Sequence, residues 1–367
     1  MKSFRSFLVT LGAFLACLPF AGLFTSCDVH ELPDIHYGEV DFTLHLEYEG
    51  DMPLYQEITY TRADASEAPS LRQTHQVRYQ INVYPHGSTM SSKTRADNLC
   101  VKSFCFTSEV GTTLDKTVSL QLPEGEWDLY VWTDFVDPGS TFDKYYDTTD
   151  WSNITYPDRK SYTGNTPARE AFRGMTTVTV SHPYRYLESE PKPDNSATVF
   201  NVRPMTRYEF ISTDVDEFVK QMSKAGALEE SPEKGDADAP ALTPADLAKY
   251  RVFFRYTTFM PCVYNLFQDK PIDSWTGISY ESTMELTPEG IRLGFDHVFI
   301  NGSESIVNVA AEVYNEKGEM IASTPSLEVP VVRGKYTTVK GEFLTSFGDG
   351  GVSVNPGFDG DYNIEIK

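Results

Sequence analysis

Carboxylates dominate the reactive side chains of this sequence: 53 Asp and Glu stand against 31 Lys and Arg, for a formal net charge of −22. Oxygen-rich loops suit hard cations such as calcium, and Asp137, Asp143, Asp147 and Asp150 share one stretch, with Gly348-Asp-Gly-Gly351 and Asp359-Gly-Asp361 further on. None has EF-hand spacing, so the expectation is a solvated acidic loop and no bound metal. The histidines, His30, His36, His45, His75, His86, His182 and His297, are scattered. They lack the His-Glu-x-x-His or Cys-x-x-Cys spacing that would bring zinc ligands together. No Gly-x-Ser-x-Gly elbow or phosphate-cradling glycine loop is present, so nucleophilic and nucleotide chemistry have no handle. Glycoside hydrolysis needs only two carboxylates at the right separation, which a linear sequence does not display. The expectation is a non-enzymatic chain without a cofactor.

Cys27 is the residue with a covalent chemistry. Lys2 and Arg5 precede an apolar run from Phe7 to Phe24, broken by Gly12, Pro19 and Gly22. A run this short, basic at its start and ending in small residues, is expected to be a secretory signal over residues 1–26 rather than a retained membrane span. It ends in Leu23-Phe-Thr-Ser-Cys27, which resembles a bacterial lipobox, with Phe24 where Leu is usual. In that motif the cysteine is acylated on sulfur and becomes the new N-terminus. Each buried acyl methylene contributes about 0.8 kcal/mol, so several chains hold a domain at a bilayer without a spanning helix. Residues 27–39 are then a polar tether. Loss of Lys2 and Arg5 takes the charge to −24, which disfavours nucleic acid and anionic headgroups as partners. With Cys17 gone and Cys27 acylated, Cys100, Cys105 and Cys262 remain. The odd count, and the odd spacing of Cys100 and Cys105 on one expected strand, argue for buried free thiols rather than a disulfide framework.

The elements that must position these groups are strands. Val40, Phe42, Leu44, Leu46 and Tyr48 alternate with polar residues, as in a half-buried first strand. A long loop containing Arg62-Ala63 follows, then strand patterns over 77–84 and 99–106. In Thr117 to Phe135, Val118, Leu120 and Leu122 alternate before Pro123-Glu-Gly125, and aromatic and β-branched residues fill the return; the expectation is a hairpin at the centre of the first sandwich. Trp127 and Trp132, five apart, point to opposite faces. The loop 134–162, rich in acids and in Tyr145, Tyr146, Trp151 and Tyr156, is too long for a mere connection; its rings would serve either as a platform for sugars or as core. Strands are expected at 175–180, 197–202 and 207–211, a helix at 214–224 stopped by Gly226, an acidic loop at 227–240, and a capped turn at Thr243-Pro244. Further strands are expected at 251–259, 278–286, 291–299, 305–314, 327–332 and 335–344. Length and pattern together give an all-β fold with minor helices in two sandwich domains, residues 40–195 and 196–367.

Three segments carry a family likeness: Leu122-Pro-Glu-Gly-Glu-Trp-Asp-Leu-Tyr-Val-Trp-Thr-Asp-Phe135, Arg169-Glu-Ala-Phe-Arg-Gly174 and Val332-Arg-Gly-Lys-Tyr-Thr-Thr-Val-Lys-Gly-Glu-Phe-Leu344. With the leader, they resemble the fimbrillin-like lipoproteins of the Bacteroidetes, which include subunits and anchors of type V fimbriae. The resemblance implies two tandem transthyretin-like β-sandwiches, lipidation at the outer membrane, other fimbrial subunits as partners, and a role in assembling or anchoring fibres. In polymerising members an arginine-specific protease removes a leading strand, and a neighbour donates a strand to the open groove. By that resemblance residues 40–48 are the candidate displaced or donor strand and Arg62 the candidate processing site, while a strand that stays in place suits an anchor. The alternating end, Asp361-Tyr-Asn-Ile-Glu-Ile-Lys367, either is donated or closes its own sheet. Asp147-Thr-Thr149 resembles the short O-glycosylation acceptor of exported proteins of that phylum. The alternative function, from a different class, is a surface glycan-binding lipoprotein of a carbohydrate-uptake system.

Overall fold

Alternation of apolar and polar residues shapes most of the chain, because a strand with one face on a core buries every second side chain. The computed structural model describes residues 38–48, 74–111, 113–224, 242–345, 352–353 and 362–366. Cys27, Arg62, the signal segment, most of the tether, the loop 227–240 and Gly348–Gly351 lie outside the described residues. The described part is predominantly β, in four sheets with sandwich-like packing and a few short helices. Residues Val40–Lys367 form one compact unit.

The first sheet contains β1 (Val40–Tyr48), β2 (Gln76–Pro85), β3 (Lys102–Glu109), β4 (Lys116–Leu122), β5 (Gly125–Val136), β7 (Phe172–Val180) and β8 (Ser196–Val202). Their order is β3-β2-β5-β7-β8-β1-β4. Thus β4 and β5 are not a hairpin, contrary to the expectation from their turn. β4 pairs with β1, while β5 pairs with β2 and β7. The sheet wraps around one core shared by Phe42, Leu44 and Leu120 with Ile81, Val131 and Phe172, and Pro123–Gly125 is the corner between its two layers. Gly125 permits this corner with φ of 145°, where a side chain would be strained. The indole of Trp127 closes the corner by donating to the Pro123 carbonyl at 2.9 Å.

A short helix, α1 (Lys93–Leu99), precedes β3 where the pattern offered a loop and strand; Ser92 caps it by accepting from the Arg95 N–H. Cys100 therefore ends a helix rather than sharing a strand with Cys105. All three thiols are free, but only Cys262 is buried and Cys105 is exposed, because Cys105 points out of an edge strand.

The second set of sheets starts with β9 (Met205–Ser212). Helix α2 (Val215–Lys224) buries Phe218, Val219 and Met222, the stripe expected from its spacing. Helix α3 (Pro244–Leu247) carries a capping box between Thr243 and Asp246. Strands β10 (Arg251–Tyr256), β13 (Ser279–Ser282), β16 (Glu304–Tyr314), β17 (Met320–Ser323) and β18 (Leu327–Val332) form one sheet. β14 (Glu285–Thr287), β15 (Gly290–Phe299), β9, β19 (Tyr336–Gly341), β21 (Tyr362–Ile366) and β20 (Val352–Ser353) form another, in that order. β11 (Phe259–Asn265) and β12 (Lys270–Thr276) are not legible in the sequence as separate strands; β11 pairs with β12 on one side and on the other with β6 (Ile154–Thr155) from the loop 134–162. That loop is a packing element: Tyr146, Trp151, Ile154, Tyr156 and Tyr162 join the core of the second set of sheets. No helix among the described residues is long and apolar enough to cross a membrane.

Candidate docking strand

β1 is an interior strand, second from the sheet edge. On one side it runs antiparallel to β4 from Val40↔Leu122 to Leu46↔Lys116. On the other it runs parallel to β8 from Thr43↔Ser196 to Tyr48↔Asn201. Val40, Phe42, Leu44 and Leu46 are buried, while Asp41 and Glu47 are exposed, as the alternation requires. Burying such side chains contributes about 1.5–3 kcal/mol each, so the four together supply on the order of 10 kcal/mol, an upper estimate. That equals the whole stability of an ordinary domain.

The far end of β1 is fixed by Tyr48. Its hydroxyl lies 2.8 Å from Oγ1 of buried Thr133, and its ring meets Phe172 edge-on at 5.1 Å. Burial pushes the Tyr48 phenol well above its ordinary value. The Tyr48 N–H donates to Asp115 at 3.2 Å, and the Asn201 amide donates to the Glu47 carbonyl at 3.1 Å. At the near end, the Thr43 N–H donates to the Asn195 carbonyl at 2.8 Å. A strand with the direction of β1 fits this slot, since β8 demands a parallel neighbour and β4 an antiparallel one. If β1 left, β4 would lose its ladder in this sheet and β8 would gain an open edge.

The segment Arg169–Gly174 has a different task. Arg169 is buried and forms an ion pair with Asp296 of β15. Its guanidinium stacks at 4.4 Å on Tyr156 and 4.3 Å on Tyr162. Asp296 also accepts from Tyr162 and Tyr256, both at 2.7 Å. Burial raises the Asp296 carboxyl, against the pull of Arg169 and the two phenols. Glu170 pairs with Arg203, and Arg173 donates to the Leu266 carbonyl at 3.2 Å. A Cβ on Gly174 would lie 2.3 Å from the Asn201 amide oxygen, so close strand packing requires glycine there. This polar seam is not visible in the sequence beyond the motif itself, because the carboxylate at its centre, Asp296, lies 127 positions from Arg169.

The acidic loop does not gather its carboxylates. Asp143 accepts from the Thr148 N–H and hydroxyl and pairs with Arg78. Asp147 accepts from Thr149, Asp150 from Ser152 and Asn153, and Asp137 pairs with Lys144. Among the described residues no group of three or more His, Cys, Asp or Glu could hold a metal ion. Tyr146 and Trp151 are buried, so these rings are core and form no sugar platform. In the open cleft beside β10, Phe253 and Tyr314 stand at 90° with 5.5 Å between centroids, and Arg251 covers the Phe253 ring at 4.9 Å. These two rings are not coplanar. Trp127 and Trp132 do face opposite ways, the first against the core of the first sheet and the second into the core beyond it.

Residues 33–367 match the model of a family of unknown function, DUF6562. The chain belongs to that family. No curated protein matches this DUF6562 chain. Among solved structures it is similar to a candidate adhesin from Bacteroides ovatus, with 12% identity over 81% of this chain and 80% of that one and a TM-score of 0.37. A candidate polysaccharide-binding protein from Bacteroides thetaiotaomicron matches at 9% identity over 77% and 79%, with a TM-score of 0.38. The fimbrial anchor protein Mfa2 from Porphyromonas gingivalis matches at 9% over 77% and 82%, with a TM-score of 0.35. Likenesses this distant say nothing of what the DUF6562 chain binds.

Proposed function

We infer that this chain is a non-enzymatic, cell-surface protein of the fimbrial or adhesin type. It is held at the outer membrane by acylation of Cys27 and serves as an anchoring or minor subunit rather than a polymerising one. The reading takes residues 40–195 and 196–367 as two transthyretin-like sandwiches, with Ser196–Val202 lending a strand to the first. The observation that supports it is the position of β1, locked between two ladders with four buried apolar side chains. An anchor needs a closed sheet on the membrane side, because an open groove would recruit a donor strand at the wrong end of the fibre. Its docking partners are other fimbrial subunits, met through strand addition or face-to-face contact.

Mild treatment of the purified full chain with an arginine-specific protease tests the reading. An anchor gives a cleaved monomer or an intact one, whatever happens at Arg62. A ladder of oligomers on a denaturing gel run without boiling would show a polymerising subunit and overturn the anchor role. Cys27→Ala should remove the protein from the membrane fraction; retention of that variant would overturn the lipid anchor.

A further inference from the structure

One end of the first sheet combines the chain's point of entry with exposed apolar side chains. Val40, the first residue of β1, pairs with Leu122 beside the Pro123–Gly125 corner. The segment 181–195 lies at this end: Arg185 bonds Glu124 at 2.7 Å, and Gly125 pairs with Val180. Asn195 closes the base of the segment, accepting from the Ser181 N–H at 3.0 Å and donating to the Ser181 carbonyl at 2.9 Å. On this tip Tyr184 is 79% and Leu187 68% exposed.

We propose that this tip is a lipid contact, in which Tyr184 and Leu187 seat at the interface of the bilayer that carries the acylated Cys27. The inference rests on that anchor reading. From Cys27 to Val40 the chain spans about a dozen residues, no more than about 45 Å when extended, so the sheet end at Val40 is the part of the described fold tethered nearest to the acylated cysteine and stays within that reach of the membrane surface. A tyrosine with an apolar ring and polar tip suits the headgroup level. Two side chains bind a bilayer weakly in free solution, but a short tether makes the contact intramolecular, with an effective concentration in the millimolar range. Asp41, Glu124, Glu188, Glu190 and Asp194 outnumber Arg185 and Lys192 on this tip, so the surface it fits is zwitterionic rather than anionic. The contact fixes orientation: β5 runs away from the tip for about 40 Å toward the loop holding Phe142, which is 82% exposed and is left facing outward.

Acylated full-length chain carrying Tyr184→Trp, Leu187→Trp or Phe142→Trp is reconstituted into phosphatidylcholine vesicles containing brominated lipid, with the wild type as the background for native tryptophans. The added tryptophan at 184 or 187 should shift to the blue and lose emission to the bromines, and that at 142 should do neither. Flotation with no quenching at 184 and 187 overturns the lipid contact while leaving the anchor standing. Equal quenching at all three sites also overturns it, since that is adsorption without orientation. A chain that does not float overturns the anchor reading and this inference with it. A photo-reactive group at 184 that captures protein instead of lipid in intact cells would assign the tip to a protein partner and overturn the lipid contact.

Discussion

The first and last described strands occupy matching places and are held very differently. β1 lies between a parallel neighbour, β8, and an antiparallel one, β4; β21 lies between parallel β19 and antiparallel β20. The ladders of β1 run for seven and six residue pairs, those of β21 for five and two. Topology would let either strand be exchanged for one from another chain. Ladder length distinguishes the two exchanges, and it favours retention of the N-terminal strand.

Deletion sharpens the contrast most. Removing residues 40–48 should abolish the cooperative urea transition, because roughly 10 kcal/mol of burial leaves with the strand. A stop after Gly360, which removes β21, should lower the midpoint only slightly. Within β1, Phe42→Ala should cost about 3–5 kcal/mol by leaving a cavity in the first core. If the Gly360 stop proves as damaging as loss of β1, the two ends are equally fixed and the comparison fails.

Arg169 tests whether the two regions respond as one. Leucine at 169 leaves Asp296 buried without its cation, a loss of about 3–5 kcal/mol. Since Arg169 adjoins β7 and Asp296 lies on β15, next to β9, amide exchange should accelerate in both sheets. Acceleration confined to one sheet would show that the seam does not couple them. Replacing Arg169 and Asp296 together by apolar residues of similar volume should recover most of the loss.

Tyr48→Phe should cost about 1–3 kcal/mol, since Thr133 is then left buried without its partner. Combining it with Thr133→Val removes both groups and should restore part of that energy. A double-mutant cycle with no coupling between the two positions would show that β1 is held by burial and its ladders alone.

The parts of this fold legible in sequence are those governed by local alternation. β1, β16 and α2 emerge close to their true limits, because one face of each meets a single core. The β4–β5 connection departs from the expected hairpin because Pro123-Glu-Gly125 specifies a sharp reversal equally well within a layer and between layers. β11 and β12 are not legible because, although Met260, Cys262 and Tyr264 face a core, Pro261 and a register shift break the pattern. For the candidate site, the strand was legible and its neighbours were not: nothing local to Val40–Tyr48 indicates that β8, some 150 positions away, lies parallel to it. The tip residues Tyr184 and Leu187 lie just before the segment 188–195, whose prolines and charges read in the sequence only as a domain edge.

Acidity provides the smallest effect, and it falls on the sheet that holds β1. Asp128, on β5, is buried and accepts from His86 Nδ1 at 2.8 Å, Thr177 at 2.7 Å and the Gly87 N–H at 3.1 Å. Burial alone would raise its carboxyl, but these hydrogen bonds hold it below the ordinary value. A depressed carboxyl contributes stability that is present above its unfolded pKa, about 3.9, and lost as pH falls through the folded value. His86 shifts the other way, raised chiefly by the hydrogen bond to Asp128. Its contribution is complete below its unfolded pKa, about 6.5, and is lost as pH rises through the folded value. The pair is therefore strongest between about pH 4 and 6.5, and it ties the β2, β5 and β7 end of the first sheet together. Asp128→Asn should flatten the pH dependence of the midpoint on both flanks of that window, whereas His86→Gln should remove the alkaline flank and only weaken the acid one, because Thr177 and the Gly87 N–H still hold the Asp128 carboxyl down. A wild-type midpoint that does not vary between pH 3 and 8, or a His86→Gln variant that alters the acid flank as much as Asp128→Asn does, would show that this pair does not set the first sheet's response to pH.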